Sequence, residues 1–151
     1  MDFMIIKNEM LSLKTKDELA FEDITDRVVD FVERSKVNNG LLNIQTLHTT
    51  CSIIVNENEP LLIEDMKNNF RDMAKKDKYY GHNDFNIRTV NICGLNECKN
   101  GHSHCLAVYL PTNVTLNVID GKISFGEWQR IFIVELDHSR NRKVQFQIIG
   151  E

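Results

Sequence analysis

Residues 113–151 constrain the fold most. The stretch NVTLNVIDGKISFGEWQRIFIVELD reads as a strand, a turn at Asp120-Gly121 and a second strand, because an Asp-Gly pair suits a tight hairpin. RKVQFQIIGE then closes the chain as a further strand, with DHSRN as the turn before it. Upstream, residues 3–13 (FMIIKNEMLSL) mix apolar and polar side chains in a strand-like way. Residues 41–57 (LLNIQTLHTTCSIIVNE) are rich in Leu, Ile, Thr and Val. They read as two strands with a kink near Thr49-Thr50.

Two segments carry a helical period. In residues 23–40, Ile24, Val28, Phe31 and Val32 share one face, and Asn39-Gly40 is a stop signal. Pro60 suits the first turn of a second helix, on which Leu62, Met66, Phe70 and Met73 share a face. Residues 77–100 show no clean period, and a long irregular segment in a compact domain is often a binding loop. No internal repeat, low-complexity tract or Pro/Gly linker divides the 151 residues. The expectation is a single compact domain over 1–151, long enough for a real core. Strands dominate, with two or three helices packed on them, which is an α+β fold.

Composition narrows the function. A net charge of −4 and an isoelectric point near 5.7 argue against a partner such as nucleic acid, since phosphate-backbone binders carry a basic surface. No apolar run approaches the roughly 20 residues of a membrane helix. The first residues lack the basic start and long apolar centre of a secretory leader, so no membrane partner and a cytoplasmic location are expected. Cysteines 51, 93, 98 and 105 form no CxxC pair and read as free thiols, with Cys51 in the core. There is no Gly-Lys-Ser/Thr phosphate loop, GxGxxG, GxSxG or HExxH, so no nucleotide cofactor is expected.

Histidine placement points to chemistry. The five histidines are His48, His82, His102, His104 and His138. In NGHSHC (100–105), a strand would point His102 and His104 the same way, whereas a helix interior would turn them about 200° apart. Asn100 or Ser103 would serve as an N-cap if a helix begins there. His48, in an apolar run before Thr49 and Thr50, needs a hydrogen-bond partner or a ligand. Glu57 ends a strand, where a carboxylate can be a general base, a metal ligand or a solvated cap. Glu59 and Glu64 read as solvent-facing. Arg88, Arg140 and Arg142 are the candidates for gripping a phosphate, with a solvated turn as the alternative for the last two. Trp128 is core or a stacking wall for a flat ring, core being the simpler reading.

HTTCSIIVNENEP, HNDFNIRT, NGHSHC, DGKISFGEWQRIFIVELD and SRNRKVQFQIIGE occur in this order. With these motifs the chain resembles the YjbQ family, also called secondary thiamine-phosphate synthases, from about residue 3 to 151. The resemblance implies β-sheets in sandwich-like packing, a homotrimer, and a pocket near a subunit boundary. Carried over residue by residue, His48, Glu57, His102 and His104 would be catalytic. Thr49, Thr50, Asn56, His82, Arg88, Asn100, Trp128, Gln129, Arg140 and Arg142 would bind substrate. His48, His102 and His104 would hold any divalent metal, zinc suiting three neutral histidines and magnesium an oxygen-rich pocket. Cys105 then reads as the first residue packed inside.

The implied activity joins a pyrimidine-methyl diphosphate to a thiazole phosphate and releases pyrophosphate. Trp128, Tyr79 or Tyr80 would supply a flat slot for the rings. The alternatives are a non-catalytic metal- or metabolite-binding trimer, and a metal-assisted hydrolase of a phosphorylated metabolite in which Glu57 activates water. In each case the ligand is a phosphorylated small molecule.

Overall fold

A computed structural model describes residues 4–92, 94 and 98–151. Cys93 lies outside them. Eight strands form two antiparallel sheets, and three helices pack on them. The elements are β1 Ile5–Lys14, β2 Phe21–Asp23, α1 Thr25–Ser35, β3 Gly40–Thr46, β4 Cys51–Glu57, α2 Pro60–Met73, α3 Gly101–Ala107, β5 Asn113–Ile119, β6 Lys122–Ile123, β7 Gln129–Glu135 and β8 Asn141–Gly150. One sheet has the order β1-β8-β3-β5-β6 and the other β2-β7-β4. The α+β expectation holds. No helix among the described residues is long and apolar enough to cross a membrane.

The sequence RIFIVEL explains the layering. Along β7, Ile131 and Ile133 join the core between the sheets, with Leu42, Ile44, Val144, Phe146 and Ile148 opposite and Val28, Phe31 and Val32 of α1 beside them. Phe132 and Val134 face the other way, followed by Leu136. They pack with Leu19, Ala74 and Leu106, and with partly buried Phe70 of α2. A strand covered on both faces reads as a continuous apolar run. The small sheet is therefore the middle layer, between the large sheet and α2 with α3.

Glu135 stands in this alternation where the core would take an aliphatic side chain. It is fully buried. From β8 in the facing sheet, Arg142 donates through Nε to Glu135 Oε2 at 2.7 Å and through Nη2 to Oε1. Thr15 Oγ1–H and the Asp137 amide donate to the same carboxylate at 2.8 and 3.0 Å. Arg142 Nη2 also donates to Thr50 Oγ1 at 2.9 Å. The pair ties the two sheets together at the end where β4 begins and β7 ends.

Several local expectations are corrected. Helix α1 ends at Ser35 on Lys36 in the left-handed region (φ 64°), not at Asn39-Gly40. Gly40 instead opens β3, where a Cβ would sit 2.2 Å from the Ile149 carbonyl oxygen. The kink near Thr49-Thr50 is a crossing from one sheet to the other, since β3 and β4 lie in different sheets. The Asp120-Gly121 turn forms with both φ angles positive, but its second arm, β6, has two residues before the chain leaves for β7. On α2, Leu62, Met66 and Phe70 are half-buried while Met73 is exposed. Glu59 caps α2, accepting from the Leu61 and Leu62 amides at 2.9 and 2.8 Å. Glu64 is exposed as expected. Cys51 is buried, but Cys105 is exposed, because it lies on the side of α3 away from Leu106.

The Glu135–Arg142 pair sets the first test. Arg142→Met leaves a carboxylate buried without its cation, which costs about 3–5 kcal/mol. The Glu135→Met/Arg142→Met double variant recovers most of that loss, as read by urea unfolding. A single variant as stable as the parent would show that the pair does not hold the sheets.

Candidate functional site

Helix α3 carries the NGHSHC motif, and its helical geometry turns the two histidines apart. On one side, His102 is 5% exposed. Its Nε2 faces Glu18 Oε1 at 3.1 Å and Ser103 Oγ at 3.3 Å. The carboxylate makes Nε2 the donor, so in the neutral ring Nδ1 is a buried acceptor, and it has no partner. His102 sits in the wall of a cavity of about 570 Å³ between residues 17–19, the end of α2 and α3.

On the other side, His104 meets His82, with ring centroids 4.7 Å apart. Burial pushes the His104 imidazole below the ordinary histidine value. The nearby His82, Arg88 and Arg140 add to that, while Asp137 opposes it. The ring is thus held neutral at pH 7. His82 Nε2 is buried with no partner.

Asn100 occupies the N-cap position of α3, but its side chain does not cap the helix. Its Nδ2 donates to Asp137 Oδ2 at 2.9 Å, and its Oδ1 is buried without a partner. The capping is done by Asn83, whose Oδ1 accepts from the Gly101 amide at 2.8 Å. Gly101 is required there, since a Cβ would lie 2.7 Å from the Tyr80 Cβ. Asn83 belongs to a 3₁₀ turn, Gly81–Asn83, that also carries His82. The Gly81–Asn83 turn is thereby anchored against α3.

Asp137 is the hub of this side. Besides Asn100, it accepts from His138 Nδ1–H at 3.0 Å and from Arg140 Nε–H at 2.9 Å. Burial alone would raise its carboxyl; these hydrogen bonds outweigh burial and hold it down at about 2. The motif reading missed Asp137, His138, Asn83 and Glu18. In DHSRN, the adjacent acid and histidine, two residues before an arginine, are the available signal.

The remaining expected residues fall in different places. His48 lies in the turn between β3 and β4, and its Nε2 accepts from the Lys143 amide at 2.8 Å. Burial lowers its pKa, with Arg142 adding to that effect. Thr49 is exposed and Thr50 buried against Arg142. Arg142 itself is 4% exposed and occupied by Glu135. It is a sheet clamp, so the substrate-binding expectation for it is corrected, as is the solvated-turn alternative. Arg140 is held by Asp137. The Arg88 guanidinium donates to the carbonyls of His82, Val90 and Asn91, which folds its own loop.

Asn56, Glu57, Trp128 and Gln129 lie at the far end of β4 and β7, where Glu57 pairs with Gln129. Trp128 is 66% exposed, so the core reading is corrected. Six residue steps separate Glu57 from Cys51, roughly 20 Å of extended chain. Within the chain these four residues do not join the histidines.

The three expected metal ligands do not converge within the single chain. Among the described residues, no three His, Cys, Asp or Glu side chains are placed to hold an ion. His102 and His104 diverge around α3, and His48 Nε2 is taken by a backbone amide. The residues present in one subunit do not fit a shared ion on His48, His102 and His104.

The UPF0047 protein YjbQ-like family profile matches residues 9–151. A UPF0047 protein of Methanothermobacter thermautotrophicus is 34% identical, over 99% of this chain and 96% of that one. The chain belongs to the UPF0047 YjbQ-like family. The Escherichia coli O157:H7 UPF0047 protein YjbQ is 29% identical over 93% of this chain and 96% of its own. A crystal structure of a YjbQ-like protein of unknown function from Sulfolobus solfataricus superposes with a TM-score of 0.87. It has 31% identity and covers 99% of this chain and 100% of that one. A hypothetical protein from Aeropyrum pernix gives 0.82 at 31% identity, covering 96% and 99%. These YjbQ-like relatives share the fold.

The electrostatics predict a titration. His104 and His48 should titrate below 6.5, the ordinary histidine value, in NMR spectra of the imidazole protons. A depressed folded value means that the unfolded chain takes the proton first as pH falls. The stability contributed by neutral His104 is therefore complete above 6.5 and lost as pH drops through the lower folded value. A His104 midpoint at or above 6.5 would contradict the description of its surroundings.

Proposed function

We propose that the chain is a small-molecule enzyme of the secondary thiamine-phosphate synthase type. It would join a pyrimidine-methyl diphosphate to a thiazole phosphate, in the cytoplasm. One observation carries this reading. Among the described residues, the buried side-chain polar atoms without a partner are His82 Nε2, Asn100 Oδ1 and His102 Nδ1. All three belong to motif residues around α3. Buried polar groups are normally paired; His82 Nε2 and Asn100 Oδ1 lie on the His104 side of α3 and support a ligand place there, while His102 Nδ1 lies on the opposite side.

The reaction makes a carbon–nitrogen bond from the thiazole nitrogen to the pyrimidine methylene. The carbon–oxygen bond to the diphosphate breaks, and its electrons leave with pyrophosphate. What the enzyme must supply is stabilisation of that departing charge. His82 and His104 offer ring N–H donors, and Arg140 offers a guanidinium anchored by Asp137. An approaching diphosphate favours the protonated form of His104, which then serves as a proton source for the leaving oxygen. No step is assigned to a metal.

The reading includes a homotrimer. Its support is the split of the motif residues: Trp128, Gln129, Asn56 and Glu57 reach the histidine side only if a neighbouring copy presents them. A surface for that copy is available on the outer face of the large sheet. Ile6, Asn8 and Met10 of β1, Gln145, Gln147 and Ile149 of β8, and Leu41, Asn43 and Gln45 of β3 stand in register across it. Those positions carry no charge, and Gln147 Nε2 donates to Asn8 Oδ1 at 2.9 Å. An uncharged sheet face with exposed Ile6, Met10, Leu41 and Ile149 suits burial against a second copy.

Four measurements test this reading. Incubation with both precursors should yield thiamine phosphate by chromatography, and His104→Ala should lower the rate by about 10²-fold or more with the fold intact. No product together with no calorimetric binding of either precursor overturns the reading. Sedimentation should give a trimer that Leu41→Asp dissociates. Mixing inactive Trp128→Ala and His104→Ala subunits should restore part of the activity. A monomeric parent, or no restoration in mixed trimers, would remove the shared-site element.

A further inference from the structure

The turn after β7 and the segment entering α3 bring together a second set of reactive groups. Cys98 Sγ lies 4.0 Å from His138 Nε2. His138 Nδ1–H donates to Asp137 Oδ1 at 3.0 Å. The Arg140 guanidinium, paired with Asp137 at 2.8 Å, also meets the Cys98 sulfur. A nucleophile, a base within reach of it and a carboxylate that orients the base are the components of an activated thiol.

Asp137 is ionised throughout the range in which proteins work, with its carboxyl held at about 2. It therefore keeps the His138 proton on Nδ1 and turns the Nε2 lone pair towards the sulfur. Arg140 places positive charge beside the sulfur. Among the described cysteines, the environment is specific to Cys98. Cys51 is buried in the core, and burial pushes its thiol up. Cys105 is exposed on α3. Asn100, buried and bonded to Asp137, leaves its Oδ1 unpaired at the same cluster, a built polar position next to the thiol's carboxylate. Cys98 is half-buried and still reachable from solvent, which admits a small reagent.

We propose that Cys98, His138 and Asp137, with Arg140 beside them, form a thiol centre that reacts with a small hydroperoxide. His138 Nε2 takes the thiol proton, and the sulfur attacks one peroxide oxygen. The sulfur–oxygen bond forms as the oxygen–oxygen bond breaks, and two electrons pass from sulfur to the peroxide. Arg140 donates a hydrogen bond to the departing oxygen. That oxygen regains the proton from His138 and leaves as water or an alcohol, and Cys98 becomes a sulfenic acid. Cys98, His138 and this chemistry lie outside the proposed thiamine-phosphate reaction, so either reading can fail alone.

The experiment treats the full-length protein with hydrogen peroxide, traps sulfenic acid with dimedone and reads each cysteine by mass spectrometry. Cys105 is the internal control for an exposed thiol without a base. Labelling at Cys98 is expected at least about tenfold faster than at Cys105, a threshold set below the ~10²–10⁴ that a positioned base supplies. His138→Ala should remove that advantage and leave Cys105 unchanged. His138→Gln, which keeps the size of the side chain but not the base, should do the same if the alanine variant melts early. Equal rates at Cys98 and Cys105 in the parent overturn the proposal. So does an unchanged Cys98 rate in a folded His138 variant.

Discussion

The ion pair between Glu135 and Arg142 is the contact on which the rest of the structure depends. It joins facing strands of two sheets inside the core, where an unpaired charge would be strongly destabilising. Four donors meet the carboxylate: two from Arg142, one from Thr15 and one from the Asp137 amide. A buried pair of this kind adds little net stability over an apolar replacement, but it admits one register between the sheets. With that register set, the turn that follows β7 leaves the core at a defined point. Asp137, His138 and Arg140 then emerge together beside α3.

The candidate site is a consequence of that exit. Asp137 gathers Asn100, His138 and Arg140, and so links the start of α3 to the end of β7. Asn83 caps α3 from the irregular segment and brings His82 against His104. The same helix sends His102 to the opposite side, to Glu18 and the adjoining cavity. One short helix therefore serves two environments, one where His104 packs against His82 and one with a histidine held by a carboxylate.

Strands, both long helices and the α+β class were legible because their signals are local. Alternation, the 24/28/31/32 face, Pro60 and Asp120-Gly121 each act over a few residues. The errors came from contacts between distant residues. Gly40 is required by Ile149, not by a helix end. Trp128 is exposed because the strand it precedes turns its covered faces elsewhere, and Arg142 is buried because Glu135 lies opposite. Motif order drew attention to His82, Asn100, His102 and His104. It could not show that 102 and 104 diverge, since CLAVYL suits a strand as well as a helix.

By itself the sequence determined the family, the α+β class and the set of polar residues worth inspecting, because periodicity and motif spacing are properties of the chain. Only the tertiary structure decided which of those residues meet. Asp137 with Asn100, His82 with His104 and Glu135 with Arg142 are pairings across elements. Each follows from which face of a strand or helix turns inward, and that is settled when the sheets and helices bury their apolar faces against one another.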